Sequence, residues 1–141
     1  IMQLKNDELG IIDFQDAVIG PYTYDLVSLL RDCYVKWDYK LIEPLVDYYL
    51  SIKGTEANQI DKETFKREFD LMGMQRHIKA SGIFARLHHR DGKSGYLADI
   101  PLTLSYIIDI GNQYPELLDF ALFVEKKVLP KVLSNCESKG G

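Results

Sequence analysis

Cysteine, tryptophan and long apolar runs are scarce in this sequence of 141 residues, which has two cysteines and one tryptophan. Cys33 and Cys136 lie far apart and show neither a disulfide framework nor the spacing of a metal site, so a reducing compartment is expected. No apolar run approaches the length of a membrane span, and FALFV, at 120–124, is among the longest. The sequence therefore predicts a cytoplasmic protein with no membrane partner.

Positively charged residues are also fewer than negatively charged ones. The chain has 17 lysines and arginines against 21 aspartates and glutamates, for a formal net charge of -4. Proteins that bind nucleic acids usually carry a basic surplus, so we expect no nucleic-acid partner. The hydrophobic content of 46% is ordinary for a folded globular domain, and the length is sufficient for one hydrophobic core.

Strand-like patterns are confined to the start of the chain. Residues 1–14, IMQLKNDELGIIDF, hold two short apolar runs around a polar KNDE centre, which predicts a hairpin with its turn near Asn6 and Asp7. The pattern after Gly20 and Pro21 is helical, so the predicted fold class is mainly α. Helices are expected at about 22–34, 39–52, 61–90, 97–112 and 116–133, with a loop at 90–95 and a frayed tail at 134–141.

Apolar spacing assigns a buried face to each of the first two helices. In the first helix the face consists of Leu26, Leu29, Leu30 and Cys33. In the second helix it consists of Leu41, Leu45, Tyr48, Tyr49 and Ile52. Asp61 is the expected N-cap of the third helix. This helix contains two glycines, and a bend or break near Gly82 is one expectation.

Two segments carry a resemblance to a known family. The first segment, residues 11–32, contains IIDFQDA followed by GPYTYDLVSLLRD. It resembles the metal-binding segment of the aminoglycoside phosphotransferase and choline kinase family, which is related to the protein kinases. In that family a hairpin carries an I-D-F/W-x-D/x-A pattern and a G-x-x-x-x-D-L helix follows. The second segment, residues 75–101, reads QRHIKASGIFARLHHRDGKSGYLADIP. It resembles in particular the bacterial members of this family that phosphorylate N-acetylmuramate and N-acetylglucosamine at the anomeric hydroxyl.

The resemblance implies that residues 1–141 are the C-terminal helical lobe of a protein-kinase-like fold. It divides the lobe into a hairpin with a metal-binding aspartate (1–14), a helical subdomain (21–133) and the frayed tail (134–141). The implied function is the C-terminal part of an ATP-dependent phosphotransferase that acts on a sugar hydroxyl, with an amino sugar of cell-wall recycling as acceptor. The implied cofactors are Mg²⁺ and ATP, and the nucleotide would be bound mostly by an N-terminal lobe that this chain needs as its partner.

Asp13 is the metal ligand, and hence the nucleotide contact, that the resemblance implies. Phosphoryl transfer requires Mg²⁺ held by oxygen ligands, and an aspartate at a strand end has a fixed backbone behind it. The alternative is an aspartate that accepts backbone hydrogen bonds in a turn. Asp16 either contacts the metal or the substrate, or faces solvent. For Asp25 the resemblance implies structural support, in which its carboxylate braces the catalytic loop through backbone hydrogen bonds.

The candidate substrate-binding residues, besides Asp16, are Gln75, Arg76 and His77. Arg76 and His77 begin a basic stretch at residues 76–93, directly after Gln75, and an acceptor with a carboxylate, such as a muramyl sugar, would benefit from arginines there. The alternative is a solvated helix face.

The sequence contains no complete H-x-D-x-x-x-x-N motif, which supplies the catalytic base and an asparagine for the metal in this family. We therefore expect no catalytic residue in this chain, a base located upstream of it, and no turnover by the chain alone. Two alternatives to the amino-sugar kinase remain: an aminoglycoside phosphotransferase, and a non-catalytic helical module that binds a sugar or a partner protein.

Overall fold

A computed structural model describes residues 2–10, 18–53 and 61–137 of the chain. Strands β1 (Met2–Gln3) and β2 (Leu9–Gly10) pair in antiparallel fashion, with Met2 opposite Gly10 and Gln3 opposite Leu9. Asp7 has a φ of 57° in the connecting turn, a left-handed conformation that aspartate tolerates better than most residues. The predicted hairpin and its turn are therefore confirmed over residues 2–10, and the rest of the predicted range 1–14 lies outside the described residues.

Helices make up most of the described chain, which confirms the mainly α class. They are α1 (Tyr24–Leu30), α2 (Tyr39–Lys53), α3 (Lys62–Asp91), α4 (Ile100–Gly111), α5 (Leu118–Phe123) and α6 (Leu129–Glu137). Short 3₁₀ segments at Ser94–Asp99 and Pro115–Leu117 precede α4 and α5, and a π-helical segment at Val124–Val128 joins α5 to α6. Within these described ranges, no helix is both long and apolar enough to cross a membrane.

Helix α1 is shorter than the predicted 22–34. It begins after Thr23, and Arg31 leaves the helical conformation with φ of -126° and ψ of 65°. The Asp32 carboxylate then accepts hydrogen bonds from the backbone N–H groups of Tyr34 (2.6 Å) and Val35 (3.2 Å), which fixes a turn instead of another helical turn. The predicted buried face is also only partly right, because Val27 and Leu30 are buried whereas Leu29 is exposed.

Helix α2 agrees with its predicted bounds, but the face that it buries shares only Tyr49 with the predicted face. Its buried residue is Ile42, while Leu41 and Tyr48 are 48% and 66% exposed. The helix carries two neighbouring apolar stripes, and apolar spacing alone cannot choose between them. The structure turns the stripe that contains Ile42 and Val46 toward α1 and α3.

Helix α3 is continuous from Lys62 to Asp91, so no break occurs near Gly82. Asp61 is its N-cap, as predicted, and its side chain accepts a hydrogen bond from the N–H of Thr64 at 3.0 Å. Gly92 closes the other end in the left-handed conformation, with φ of 68°. The final helix ends at Glu137, beyond the predicted end at 133.

Two buried clusters hold the helices together at successive positions along α3. The first lies between α1, α2 and α3 and consists of Val27, Leu30, Ile42, Phe65 and Phe69. The second lies between α3, α4 and the π-helical segment and consists of Met74, Phe84, Ile100, Leu104, Ile107, Ile110 and Val124. Since α3 contributes to both clusters, it packs against α1 and α2 through the first and against α4 through the second.

Candidate functional site

The predicted metal-binding residues lie outside the described part of the chain. Asp13 and Asp16 fall within residues 11–17, and the structure describes the chain on either side of that range. Among the described residues, no group of three histidine, cysteine, aspartate or glutamate side chains is close enough to hold a metal ion. Magnesium ligation by Asp13 and the role of Asp16 therefore stay predictions.

Asp25 lies in the first turn of α1, where its carboxylate faces solvent. A negative charge near a helix N-terminus is favoured by the helix dipole. None of the described residues hydrogen-bonds to its side chain, and the catalytic loop that it was predicted to brace has no counterpart among them. Its predicted support role stays a prediction.

A cleft opens between the segment that leads into α1 and one face of α3. Its volume is about 420 Å³. Along the chain, this segment follows directly after the residues that include Asp13 and Asp16. We call it the Tyr22 cleft, and it is lined by Pro21, Tyr22 and Thr23 on one side and by Glu68, Leu71, Met72 and Gln75 of α3 on the other.

Tyr22 and Glu68 are joined across this cleft by a hydrogen bond, in which the Tyr22 hydroxyl donates to Oε2 of the Glu68 carboxylate. Burial, followed by the neighbouring Glu68, raises the pKa of the Tyr22 phenol to about 12, so the hydroxyl keeps its proton at neutral pH. The Tyr22 ring packs on buried Phe65 with their centroids 5.7 Å apart. Tyr22 therefore holds the Glu68 carboxylate in a defined place at the cleft wall.

The three predicted substrate residues on α3 do not share one environment. The Gln75 side chain is exposed and lines the Tyr22 cleft. The Arg76 guanidinium carbon lies 4.5 Å from the centre of the Tyr24 ring, beside the cleft. His77 is completely buried and stacks on Tyr106 with ring centroids 4.2 Å apart. Consecutive helix residues point about 100° apart, since a turn takes 3.6 residues.

A buried polar network that the sequence did not reveal ties α1 to α3. Arg31, at the end of α1, pairs with Asp70 of α3, and their side chains are only 3% and 1% exposed. Tyr114 donates a hydrogen bond to the other Asp70 oxygen at 2.7 Å, and burial together with Asp70 raises the pKa of its phenol. Asp70 occupies an apolar helix face, so periodicity gave no sign of its partners.

Two arginines of the predicted basic stretch have described partners on α3, Arg76 on the Tyr24 ring and Arg90 near the end of the helix. Arg90 forms an ion pair with the adjacent Asp91 at 2.6 Å, on an exposed part of the helix. His89, Arg90 and Asp91 match the first half of the H-x-D-x-x-x-x-N motif, but Tyr96 stands where the asparagine would be. Asp91 is thus engaged by a neighbouring arginine at a helix end.

Residues 1–59 match the model of a family described as the phosphotransferase enzyme family. Three curated relatives are each named N-acetylmuramate/N-acetylglucosamine kinase. The one from Neisseria meningitidis is 42% identical over 127 residues, which cover 88% of this chain and 38% of the relative. The one from Pseudomonas putida is 45% identical, in an alignment that covers 78% of this chain and 33% of that relative. The one from Pseudomonas aeruginosa is 40% identical, in an alignment that covers 84% of this chain and 36% of that relative.

The chain therefore spans between a third and two-fifths of the length of these curated relatives. No solved structure gives a significant match. The family match includes the IIDFQDA segment, and the relatives extend over most of the chain, including α3. Both findings confirm the resemblance that these two segments indicated.

Proposed function

Starting from this kinship with the phosphotransferase enzyme family, we propose that the chain is the C-terminal lobe of a protein-kinase-like phosphotransferase that transfers phosphate from ATP to a sugar hydroxyl. The acceptor that we propose is an amino sugar of cell-wall recycling, of the kind for which the relatives are named. The observation that carries this proposal is the identity of 40–45% with those kinases over most of the chain. The protein would work in the cytoplasm, where ATP is available.

Asp13 is the residue that would hold Mg²⁺, with Asp16 as a second carboxylate in the same segment. Carboxylate oxygens are the donors that Mg²⁺ prefers, so this donor set fits the ion. Mg²⁺ held by these aspartates would supply positive charge to offset the negative charge that develops during phosphoryl transfer. The described hairpin, through the pairing of Met2 with Gly10, fixes the backbone just before the segment that contains both aspartates.

The residues of this chain would act mainly by positioning the reacting groups, and not by transferring protons. Phosphoryl transfer depends mainly on holding the reacting groups in line, and the chain offers no complete motif for a catalytic base. Helix α1 follows the metal-binding segment, and the buried pair of Arg31 with Asp70 fixes its far end against α3. The two parts of the site that we propose, the metal-binding segment and α3, are thereby connected through α1.

The test is a phosphotransfer assay on the full protein that carries these residues, with ATP, Mg²⁺ and either N-acetylglucosamine or N-acetylmuramate. We expect transfer to the sugar, and we expect Asp13→Ala to abolish it while the helical circular dichroism spectrum stays unchanged. Asp7→Asn, which removes a carboxylate from the exposed hairpin turn but keeps a residue that tolerates the left-handed conformation, is the control and should retain activity. Transfer to an aminoglycoside in preference to either sugar would contradict the proposed acceptor, and activity in Asp13→Ala would contradict the metal assignment.

A further inference from the structure

We propose that the Tyr22 cleft is the binding site of the sugar acceptor and that Glu68 determines its recognition by accepting a hydrogen bond from a non-reacting sugar hydroxyl. This inference rests on the proposed function. It adds a binding site and a specificity-determining residue to it, because Glu68 belongs to neither of the two segments that carry the family resemblance.

The first support is the orientation of the Glu68 carboxylate. A carboxylate on an exposed glutamate is usually free to rotate, but the Tyr22 hydroxyl engages Oε2 of this one. The Tyr22 ring is itself held by Phe65, which is fully buried. The remaining oxygen of Glu68 is then presented at a fixed position in the cleft, which is the preorganisation that a recognition site requires.

The second support is the combination of polar groups on the α3 wall. Glu68 and Gln75 are two helical turns apart and share one face of the helix, because positions i and i+7 align. The carboxylate accepts hydrogen bonds, and the Gln75 amide both donates and accepts them. A pyranose with an acetamido group offers hydroxyl donors and a carbonyl acceptor, so the two side chains match its chemistry.

The third support is the size and the apolar part of the cleft. Its volume of about 420 Å³ lies within the range of roughly 300–1,000 Å³ typical of small-molecule sites. Pro21, Leu71 and Met72 give it an apolar surface against which the C–H groups of a sugar ring can pack.

Two further cavities lined by described residues fit an acceptor less well. The cavity beside Arg31 has a volume of only about 120 Å³. A second cavity of about 420 Å³ lies along Glu63, Arg67 and Gln113, but Arg67 is paired with Glu116 there and stacks on Tyr114. Neither cavity is lined by the segment that follows Asp13 and Asp16 in the chain, whereas the Tyr22 cleft is.

The experiment measures steady-state kinetics of the full protein with ATP and N-acetylglucosamine. We expect Glu68→Gln to raise KM for the sugar roughly tenfold, because a hydrogen bond to a charged acceptor is lost, with kcat and KM for ATP unchanged. Tyr22→Phe, which only releases the Glu68 carboxylate, should raise the same KM by a smaller factor. Gln75→Ala provides an independent variant on an exposed position, and Glu63→Gln, on another face of α3, is the matched control.

Equilibrium titration of each variant with N-acetylglucosamine, without nucleotide, separates this inference from the proposed function. Weaker sugar binding in Glu68→Gln and Gln75→Ala but not in Glu63→Gln supports the cleft, even if the wild type transfers no phosphate. If the wild type does phosphorylate the sugar and the cleft variants keep their KM within about twofold, the cleft assignment is overturned and the proposed function stands. A fall in kcat with unchanged KM also overturns it.

Discussion

The buried ion pair of Arg31 with Asp70 shows how much one buried side chain contributes to the stability of this fold. Both side chains are almost fully buried, and Asp70 is the residue that compensates the charge of Arg31. Removal of one partner from a buried ion pair leaves an uncompensated charge, which costs about 3–5 kcal/mol. We therefore expect Asp70→Ala to lower the free energy of unfolding by about that amount, as measured by urea denaturation.

The control for Asp70 is another aspartate in an ion pair on the surface. Asp47 pairs with Lys62 at 2.6 Å, and both side chains are about half exposed. Surface pairs of this kind contribute little, so Asp47→Ala should change stability far less. Equal losses in the two variants would show that burial does not set the strength of the Arg31–Asp70 pair.

His77 predicts a pH dependence at the same scale. Burial, and then the positive charges of Arg31 and Arg76, lower the pKa of His77 from 6.5 to about 4. Between these two pH values the unfolded chain takes up a proton at this position and the folded chain does not, so stability falls as the pH falls. The loss due to His77 should reach about 3 kcal/mol near pH 4 and increase no further below it.

The variant His77→Phe isolates this contribution. Phenylalanine keeps the ring stacked on Tyr106, and neither nitrogen of His77 has a hydrogen-bond partner among the described residues. The difference in unfolding free energy between wild type and variant should therefore grow in favour of the variant as the pH is lowered from 6.5 to 4. If the two proteins lose stability in parallel over that interval, His77 is not the residue that titrates.

At the scale of the helix, two glycines of α3 should respond to alanine in opposite directions. A Cβ added at Gly82 would meet no atom within 4 Å, so Gly82→Ala should stabilise the protein by about 0.5–1 kcal/mol through helix propensity. A Cβ at Gly73 would lie 2.9 Å from Cδ of buried Arg31, so Gly73→Ala should destabilise it by about 1–3 kcal/mol. Thermal unfolding monitored by circular dichroism measures both, and the same sign for the two variants would contradict the packing of Arg31 on α3.

The helices also show where apolar spacing succeeds as a predictor and where it does not. The bounds of α2 and the N-cap Asp61 of α3 follow from local signals, and the structure agrees with them. The buried face of α2 depends on which of two apolar stripes meets α1 and α3, and that choice is made by tertiary packing. The end of α1 at Leu30 depends on Asp32 and on the partners of Arg31, which are distant in sequence.

For the molecule as a whole, the candidate site combines residues that sequence can and cannot identify. Asp13 stands in a motif, and Gln75 lies in a segment that resembles the sugar kinases, so both were candidates from the start. Glu68 lies in no motif, and only the fold brings it to the hydroxyl of Tyr22. His77 follows Gln75 closely in sequence but packs in the interior, because residues two positions apart on a helix face nearly opposite sides.

The last prediction concerns the 141 residues as an isolated chain. We expect no transfer of phosphate from ATP to N-acetylglucosamine by this chain, because its sequence has no complete H-x-D-x-x-x-x-N motif to supply a base and a second metal-binding oxygen. A helical circular dichroism spectrum would show that the helices form, and the kinase from Neisseria meningitidis would serve as the positive control in the same assay. If the isolated chain transfers phosphate and Asp13→Ala abolishes that transfer, the prediction is contradicted. A complete catalytic apparatus would then lie within these residues.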